Sequence, residues 1–263
     1  MTRIEVPDYD VVGIRAANPG PFTLTGTNSW LIGRDPAWLI DPGPVLESHL
    51  DALAAEAAER GGLGGIALTH DHADHAEALP RLRERFPGAE VGAARGDATA
   101  LASDGSRVGP LVAISTPGHA PDHLSYALRG RDGSELVFSG DAVLGEGSVF
   151  ISPYPGALST YLDGLRRLRR RRIAILAPGH GPLVLDPMSK LDEYIEHRLE
   201  RERRLLAALA AGRRTVDELL DDVWSDAPAV LRPAAAATLA AHLDKLAEDG
   251  RLPDGVQRPS ISL

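Results

Sequence analysis

Short apolar runs, each closed by glycine, proline or a polar cluster, alternate along this chain with longer Ala/Leu-rich stretches. Runs of the first kind have strand length and those of the second have helix length. Asn28 to Ile32 and Ala37 to Ile40 read as two strands joined by the turn-rich Gly33-Arg34-Asp35-Pro36, the second ending in Asp41-Pro42-Gly43. Ser48 is placed to cap a helix that runs to Arg60 and is stopped by Gly61-Gly62. Gly65 to Thr69 is short, apolar and flanked by glycine, which predicts a buried strand delivering His70 at its carboxyl end. Ala76 to Phe86 reads as a helix closed by Pro87-Gly88. Strand and helix in alternation predict an α/β fold.

Three further strand-like runs end in polar loops. Leu111 to Ser115 leads to Thr116-Pro117-Gly118-His119, Leu136 to Phe138 leads to Ser139-Gly140-Asp141, and Ile173 to Ala177 leads to Pro178-Gly179-His180-Gly181. Glycine in these loops permits a sharp turn and leaves room beside a metal. After a long helix over 187–211, Thr215 to Glu218 forms a capping box, and Pro233 to Glu248 forms a helix whose Leu239, Leu243 and Leu246 recur at core spacing. These patterns divide the chain into an α/β domain, 1–190, and a helical, winged-helix-like domain, 191–263.

Composition narrows the chemistry. Hydrophobic residues at 43% and charged residues at 25% describe an ordinary globular protein. The absence of cysteine excludes disulfides, zinc ribbons, iron–sulfur clusters and thiol nucleophiles, so any metal must be held by His, Asp or Glu. The balance of 28 basic and 37 acidic residues, net charge -9, has the wrong sign for a surface that attracts polyanions as a whole. Residues 197–263 carry 10 basic and 11 acidic side chains, which argues against duplex DNA as a partner. Six arginines crowd Arg166 to Arg172, but Leu162, Leu165 and Leu168 mark an amphipathic helix whose other face is solvated. Met1 to Asp10 has no signal-peptide pattern and no apolar run has membrane-spanning length, so the expected location is cytoplasmic, with no membrane partner.

The candidate chemistry lies in the loops. His70-Asp71-His72-Ala73-Asp74-His75 packs three histidines and two aspartates into six residues, and six of the nine histidines of the chain fall in loops that follow strands. Imidazole and carboxylate at that density suit zinc or a similar divalent metal. The cluster exceeds what one catalytic metal needs from a single loop, so two metals are expected, with the distant His119, Asp141 and His180 completing their surroundings. Asp122 and His123 are expected to support the site rather than bind metal. His49 and His242 are expected to face solvent, and His197 to lie on a helix surface.

This ordered motif set resembles that of the metallo-β-lactamase superfamily, with Asp41 matching its earlier structural aspartate. The resemblance implies a four-layer αβ/βα sandwich and a metal-dependent hydrolase. It assigns His70, His72 and His119 to a first metal and Asp74, His75 and His180 to a second, with Asp141 bridging both and Asp74 orienting a metal-bridging hydroxide. Zn2+ is the expected ion. Ala76-Glu77-Ala78 departs from the usual glycine-rich continuation and leaves the loop shape open. Thr27-Asn-Ser-Trp-Leu-Ile32, the run from Phe138 to Ser148 and Tyr194-Ile-Glu-His-Arg198 are similar to the β-lactamase-like protein 2 family, which carries a C-terminal winged-helix-like domain and whose animal member resembles a single-strand-selective endoribonuclease. Single-stranded RNA phosphodiester cleavage is therefore one implied activity. A glyoxalase II-like thioesterase or a lactonase acting on a small-molecule ester is another, and a metal-sensing transcription regulator is the alternative from a different class.

Overall fold

The computed structural model describes residues 2–96 and 98–261. The chain divides into two compact units, one formed by Met1–Ser115, Asp122–Gly147 and Arg171–Pro187, the other by Thr116–Pro121, Ser148–Arg170 and Met188–Leu263.

Two sheets build the first unit. The larger runs in chain order through β1 (Thr2–Val6), β2 (Val11–Arg15), β3 (Asn28–Ile32), β4 (Ala37–Ile40), β5 (Leu63–Ala67), β6 (Glu90–Ala93) and β7 (Ala100–Leu101). It is antiparallel as far as β4 and parallel from β4 to β7. The smaller comprises β8 (Arg107–Val108), β9 (Leu111–Ser115), β10 (Leu124–Arg129), β11 (Glu135–Gly140) and β12 (Ile173–Pro178), in the order β12-β11-β10-β9-β8 with β11 and β12 parallel.

Period-two alternation decides which face each side chain serves. Along β3 and β4, Trp30, Ile32 and Ile40 enter a core shared with Leu111, Tyr126, Leu136 and Phe138 of the smaller sheet, whereas Leu31, Ala37 and Leu39 enter a second core on the opposite face. That second core is closed by Leu50 and Leu53 of α1 (Glu47–Glu59) and by Leu79 and Leu82 of α3 (Leu79–Arg85). The expected helix over 76–86 is interrupted: a single turn, α2 (Ala73–Ala76), precedes α3 and carries Asp74 and His75, the end of the histidine motif. Ser48 does not cap α1, which begins at Glu47 after Leu46 with no side-chain cap. Glu47 instead places an acid on the positive end of the helix dipole.

The second unit contains α4 (Ala157–Arg169), most of α5 (Pro187–Ala210), α6 (Val216–Val223) and α7 (Arg232–Glu248). Thr215 and Glu218 close the expected capping box at the start of α6. Leu239, Leu243 and Leu246 are buried with Leu205, Leu219 and Val223, as their spacing predicts. His242 is not solvent-facing: it is fully buried, its ring 5.8 Å from that of Trp224. It lies three residues after Leu239 and four before Leu246, on the same helical stripe. His49 is also buried rather than exposed, with Nε2 3.0 Å from Ser29 Oγ. His197 is half-buried on α5, where its Nε2 accepts from Arg201. Among the described residues no helix is long and apolar enough to cross a membrane.

Candidate active site

In the first unit, the carboxyl ends of two parallel strand pairs carry the candidate residues. Asp41 follows β4 and the histidine motif follows β5; Asp141 follows β11 and His180 follows β12. Main-chain bonds hold these loops together: Asp41 donates to Ala67 (3.0 Å), Gly179 donates to Gly140 (3.0 Å), and Leu124 of the smaller sheet donates to Thr69 beside the larger (2.7 Å). Tyr126 adds a bond from its hydroxyl to the Leu68 carbonyl at 2.8 Å.

Asp41 organises the histidine motif. Its backbone is left-handed (φ 52°), a conformation that a non-glycine residue keeps only where its surroundings impose it. The buried carboxylate accepts three hydrogen bonds, from Thr69 N–H (2.8 Å), Thr69 Oγ1 (2.7 Å) and His75 Nδ1 (2.8 Å). Because the Thr69 hydroxyl gives its proton to Asp41, it must accept from His70 Nδ1, 3.0 Å away. Both imidazoles therefore donate from Nδ1 and present Nε2 to the other candidate donors, the arrangement that second partners impose on metal-binding histidine.

The remaining donors converge on those nitrogens. His75 Nε2 lies 3.2 Å from His180 Nε2, 3.4 Å from Asp141 Oδ1 and 3.7 Å from Asp74 Oδ2. His180 Nε2 lies 3.2 Å from Asp74 Oδ2 and 3.5 Å from Asp141 Oδ2. Asp74, His75 and His180 can offer donor atoms all within 4.8 Å of one another, and so can His70, His75 and Asp141. His72 ends the extended stretch before α2, its ring 4.5 Å from that of His70. Gly179 makes the close approach possible: a Cβ there would stand 2.6 Å from both Asp141 Oδ1 and His75 Cε1.

Electrostatics favours a cation in this cluster. Burial alone would lower the pKa of His180, but the charge of Asp141 and hydrogen bonds to Asp141 and Asp74 outweigh it and raise it to about 9. Burial likewise opposes charge on His75, and Asp141 and Asp41 reverse the effect, holding it well above the usual range. Asp141 is buried, which favours its protonated form, yet His180 and His75 keep it well below the usual carboxylate range. Two buried imidazoles pressed toward positive charge by shared carboxylates are where divalent ions can displace protons. The donor set and the space secured by Gly179 fit such ions.

His123 supports the site, as expected: its Nε2 accepts the Asp141 backbone N–H at 3.0 Å. Gly140 is required beside it, since a Cβ would stand 2.7 Å from that nitrogen. Asp122 instead meets Arg95 at 3.2 Å, and Arg95 also holds Asp71 at 2.7 Å. His119 belongs to the second unit, where its Nδ1 faces the Phe150 carbonyl at 3.2 Å and its own carbonyl accepts from Ser152 Oγ at 2.5 Å. Residue patterns gave Thr69, Tyr126, Arg15 and Asn28 no role, although Asn28 stood in a motif already singled out.

Residues 22–108 and 95–180 match the model of the Metallo-beta-lactamase superfamily, and residues 215–254 match that of the Beta-lactamase associated winged helix domain. The chain belongs to the metallo-beta-lactamase superfamily: it is a metal-dependent hydrolase with two sheets flanked by helices and a C-terminal winged helix. It is 32% identical over 260 residues to the Beta-lactamase-like protein 2 homolog of Caenorhabditis elegans, covering 91% of this chain and 85% of that protein. It is also 32% identical over 270 residues to the Atrochrysone carboxyl ACP thioesterase of Aspergillus chevalieri, covering 94% of this chain and 85% of that one. Among solved structures, TTHA1623 in a di-iron-bound form is similar with a TM-score of 0.53 and 26% identity, covering 67% of this chain and 96% of that one.

Proposed function

We propose that the protein is a dinuclear hydrolase of small-molecule thioesters or esters, with zinc as its resident ion. The observation that carries this reading is the convergence of the buried His75, His180 and Asp141 with the partly exposed Asp74, four donors drawn from three loops with shared carboxylates. In this assignment His70, His72 and His119 would hold one ion and Asp74, His75 and His180 the other, with Asp141 available to both. When bound, such ions lower the pKa of water from about 16 to about 7 and polarise the substrate carbonyl.

The chain's own groups do the rest. Asp41 and Thr69 fix the tautomers of His75 and His70. Asp74 has a side chain 30% exposed where its neighbours are buried, and His180 holds its pKa below the usual value against the effect of burial. It is ionised at neutral pH and placed to orient the attacking water and take its proton. The oxygen of that water forms the new bond to carbon as the thiolate or alkoxide departs.

A thioester or ester suits the charge better than an RNA backbone does. The arginine run is engaged by acids: Arg166 with Asp163 at 3.1 Å, Arg169 with Asp192 at 2.8 Å and Arg171 with Glu135 at 2.7 Å. The thioesterase among the relatives supports the same substrate class. In the winged helix, Arg213, Arg232 and Arg258 are paired with Asp222, Asp221 and Asp244, which disfavours a DNA-reading regulator.

The test is a side-by-side assay on an acyl thioester, an aryl ester, a lactone and single-stranded RNA, with metal analysis of protein purified without chelator near neutral pH. Two divalent ions per chain and thioester or ester turnover, lost in Asp141→Asn and on chelation, are expected. Protein without bound divalent ions, or turnover indifferent to chelation, would overturn the metal mechanism. Cleavage of RNA alone would replace the substrate class.

A further inference from the structure

We propose that Asn28 is the positioning residue that sets His180 in the second ion's site, with Arg15 fixing Asn28 in turn; the inference rests on the two-ion reading above. The loop Pro178-Gly179-His180-Gly181 leaves β12 with backbone carbonyls that need partners. The Pro178 carbonyl accepts from Asn28 Nδ2 (3.1 Å) and Trp30 Nε1 (3.3 Å), and the Gly179 carbonyl accepts from the Asn28 backbone N–H (2.7 Å). The Gly181 carbonyl accepts from Asn28 Nδ2 (2.9 Å) and Arg15 Nη2 (3.1 Å). One fully buried residue thus brackets His180 by bonds on both sides of it.

The amide has one orientation. Its Oδ1 accepts from Arg15 Nε at 2.9 Å, so both amide hydrogens point at the two carbonyls and each group of the side chain is used. β2 and β3 pair Arg15 directly opposite Asn28, which makes the contact a consequence of register. Asp at this position would set oxygen against two carbonyl oxygens, and Ala would leave those carbonyls without their bonds. His180 Nε2 stands 3.2 Å from both His75 Nε2 and Asp74 Oδ2, so a small shift of the loop opens the cluster.

Titration of the metal-free full-length protein with cobalt(II) and with zinc, against a chelating dye, reads this directly. The parent should bind two equivalents. In Asn28→Asp and Asn28→Ala the first equivalent should remain and the second weaken by about 10–100-fold, the range expected when a partner that orients a ligand is lost. Ser29→Ala is the control for a lesion in the same strand: it removes a buried hydroxyl 3.0 Å from His49 and should leave both equivalents intact. Two equivalents of parental affinity in folded Asn28→Asp would overturn the proposal, as would the same loss in Ser29→Ala. If the Asn28 variants do not fold, Arg15→Gln takes their place; there a weakened second equivalent supports the role and an unchanged one refutes it. A parent that binds fewer than two equivalents would instead overturn the two-ion reading.

Discussion

Asp41 Oδ2 and His75 Nδ1 stand 2.8 Å apart in the protein interior, and the same oxygen receives the Thr69 hydroxyl that orients His70. One carboxylate therefore dictates the tautomer of two histidines. Asp41→Asn keeps the size of the side chain and tolerates the left-handed backbone, because Asn enters that region at least as readily as Asp. It removes the charge and lets the amide compete as a donor. Metal affinity and turnover should both fall by about 10–100-fold with little loss of fold. Circular dichroism with zinc titration checks this; parental zinc affinity in the Asn variant would show that the carboxylate is dispensable.

Gly179 supplies space rather than chemistry. An added methyl group would meet Asp141 and His75 at 2.6 Å, well inside van der Waals contact, so Gly179→Ala must push one of them out of the cluster. The nearest atoms the methyl group meets are those two side chains and, at 3.3 Å, the Gly140 backbone, so the metal-free variant should fold. Zinc stabilises a protein whose folded state alone binds it, by ~4 kcal/mol at a thousandfold excess over Kd, and so raises its melting temperature. Differential scanning fluorimetry should show that rise in the parent and lose most of it in Gly179→Ala.

The same contrast explains which parts were legible in residue order. The bounds of β3 and β4 coincide with the runs Asn28–Ile32 and Ala37–Ile40, because a short, largely apolar run closed by turn residues marks a strand buried on both faces. The histidine motif, Asp141 and His180 were legible as candidates because the proposed metal chemistry uses only a few residue types. Asn28 was not, since an amide in a strand has many uses and only the return of β12 reveals its partners. His242 was misjudged from its polarity although its spacing from Leu239 and Leu246 placed it inside. Residues 116–121 and 148–170 cluster with the C-terminal helices, a grouping set by contacts between distant parts of the chain.

Arg171 reaches both oxygens of Glu135 at 2.7 Å, a bidentate geometry that commits its guanidinium to the start of β11. Arg169 meets Asp192 in the same manner at 2.8 and 3.1 Å. If the run clamped phosphates, removing these charges would raise KM for an anionic polymer and flatten its salt dependence. Arg169→Gln and Arg171→Gln should instead leave kcat/KM for a thioester within about threefold of the parent, the small effect typical of exposed ion pairs. Steady-state kinetics at low and high salt decides between these outcomes.

Acid should destabilise the protein through histidines outside the metal cluster. Burial pushes His49 and His197 down to about 4, partly offset at His49 by the Pro42 backbone, and holds the fully buried His242 well below its usual value. Each is neutral in the folded state and protonates more readily when unfolded. Their stabilising contribution is complete above the unfolded pKa of about 6.5 and is lost as pH falls through the folded values. For His49 the shift corresponds to about 3 kcal/mol at ~1.4 kcal/mol per pH unit. His180 and His75, whose folded pKa values are raised, lose their contribution only as pH rises from about 6.5, so in metal-free protein they do not mask the acid limb. Urea denaturation of chelated protein should show the midpoint falling from pH 6.5 to pH 4.5. His242→Leu, which leaves no group to protonate beside Trp224, should fall less steeply across that interval. An identical slope in the two proteins would exclude His242 as a source of the acid sensitivity.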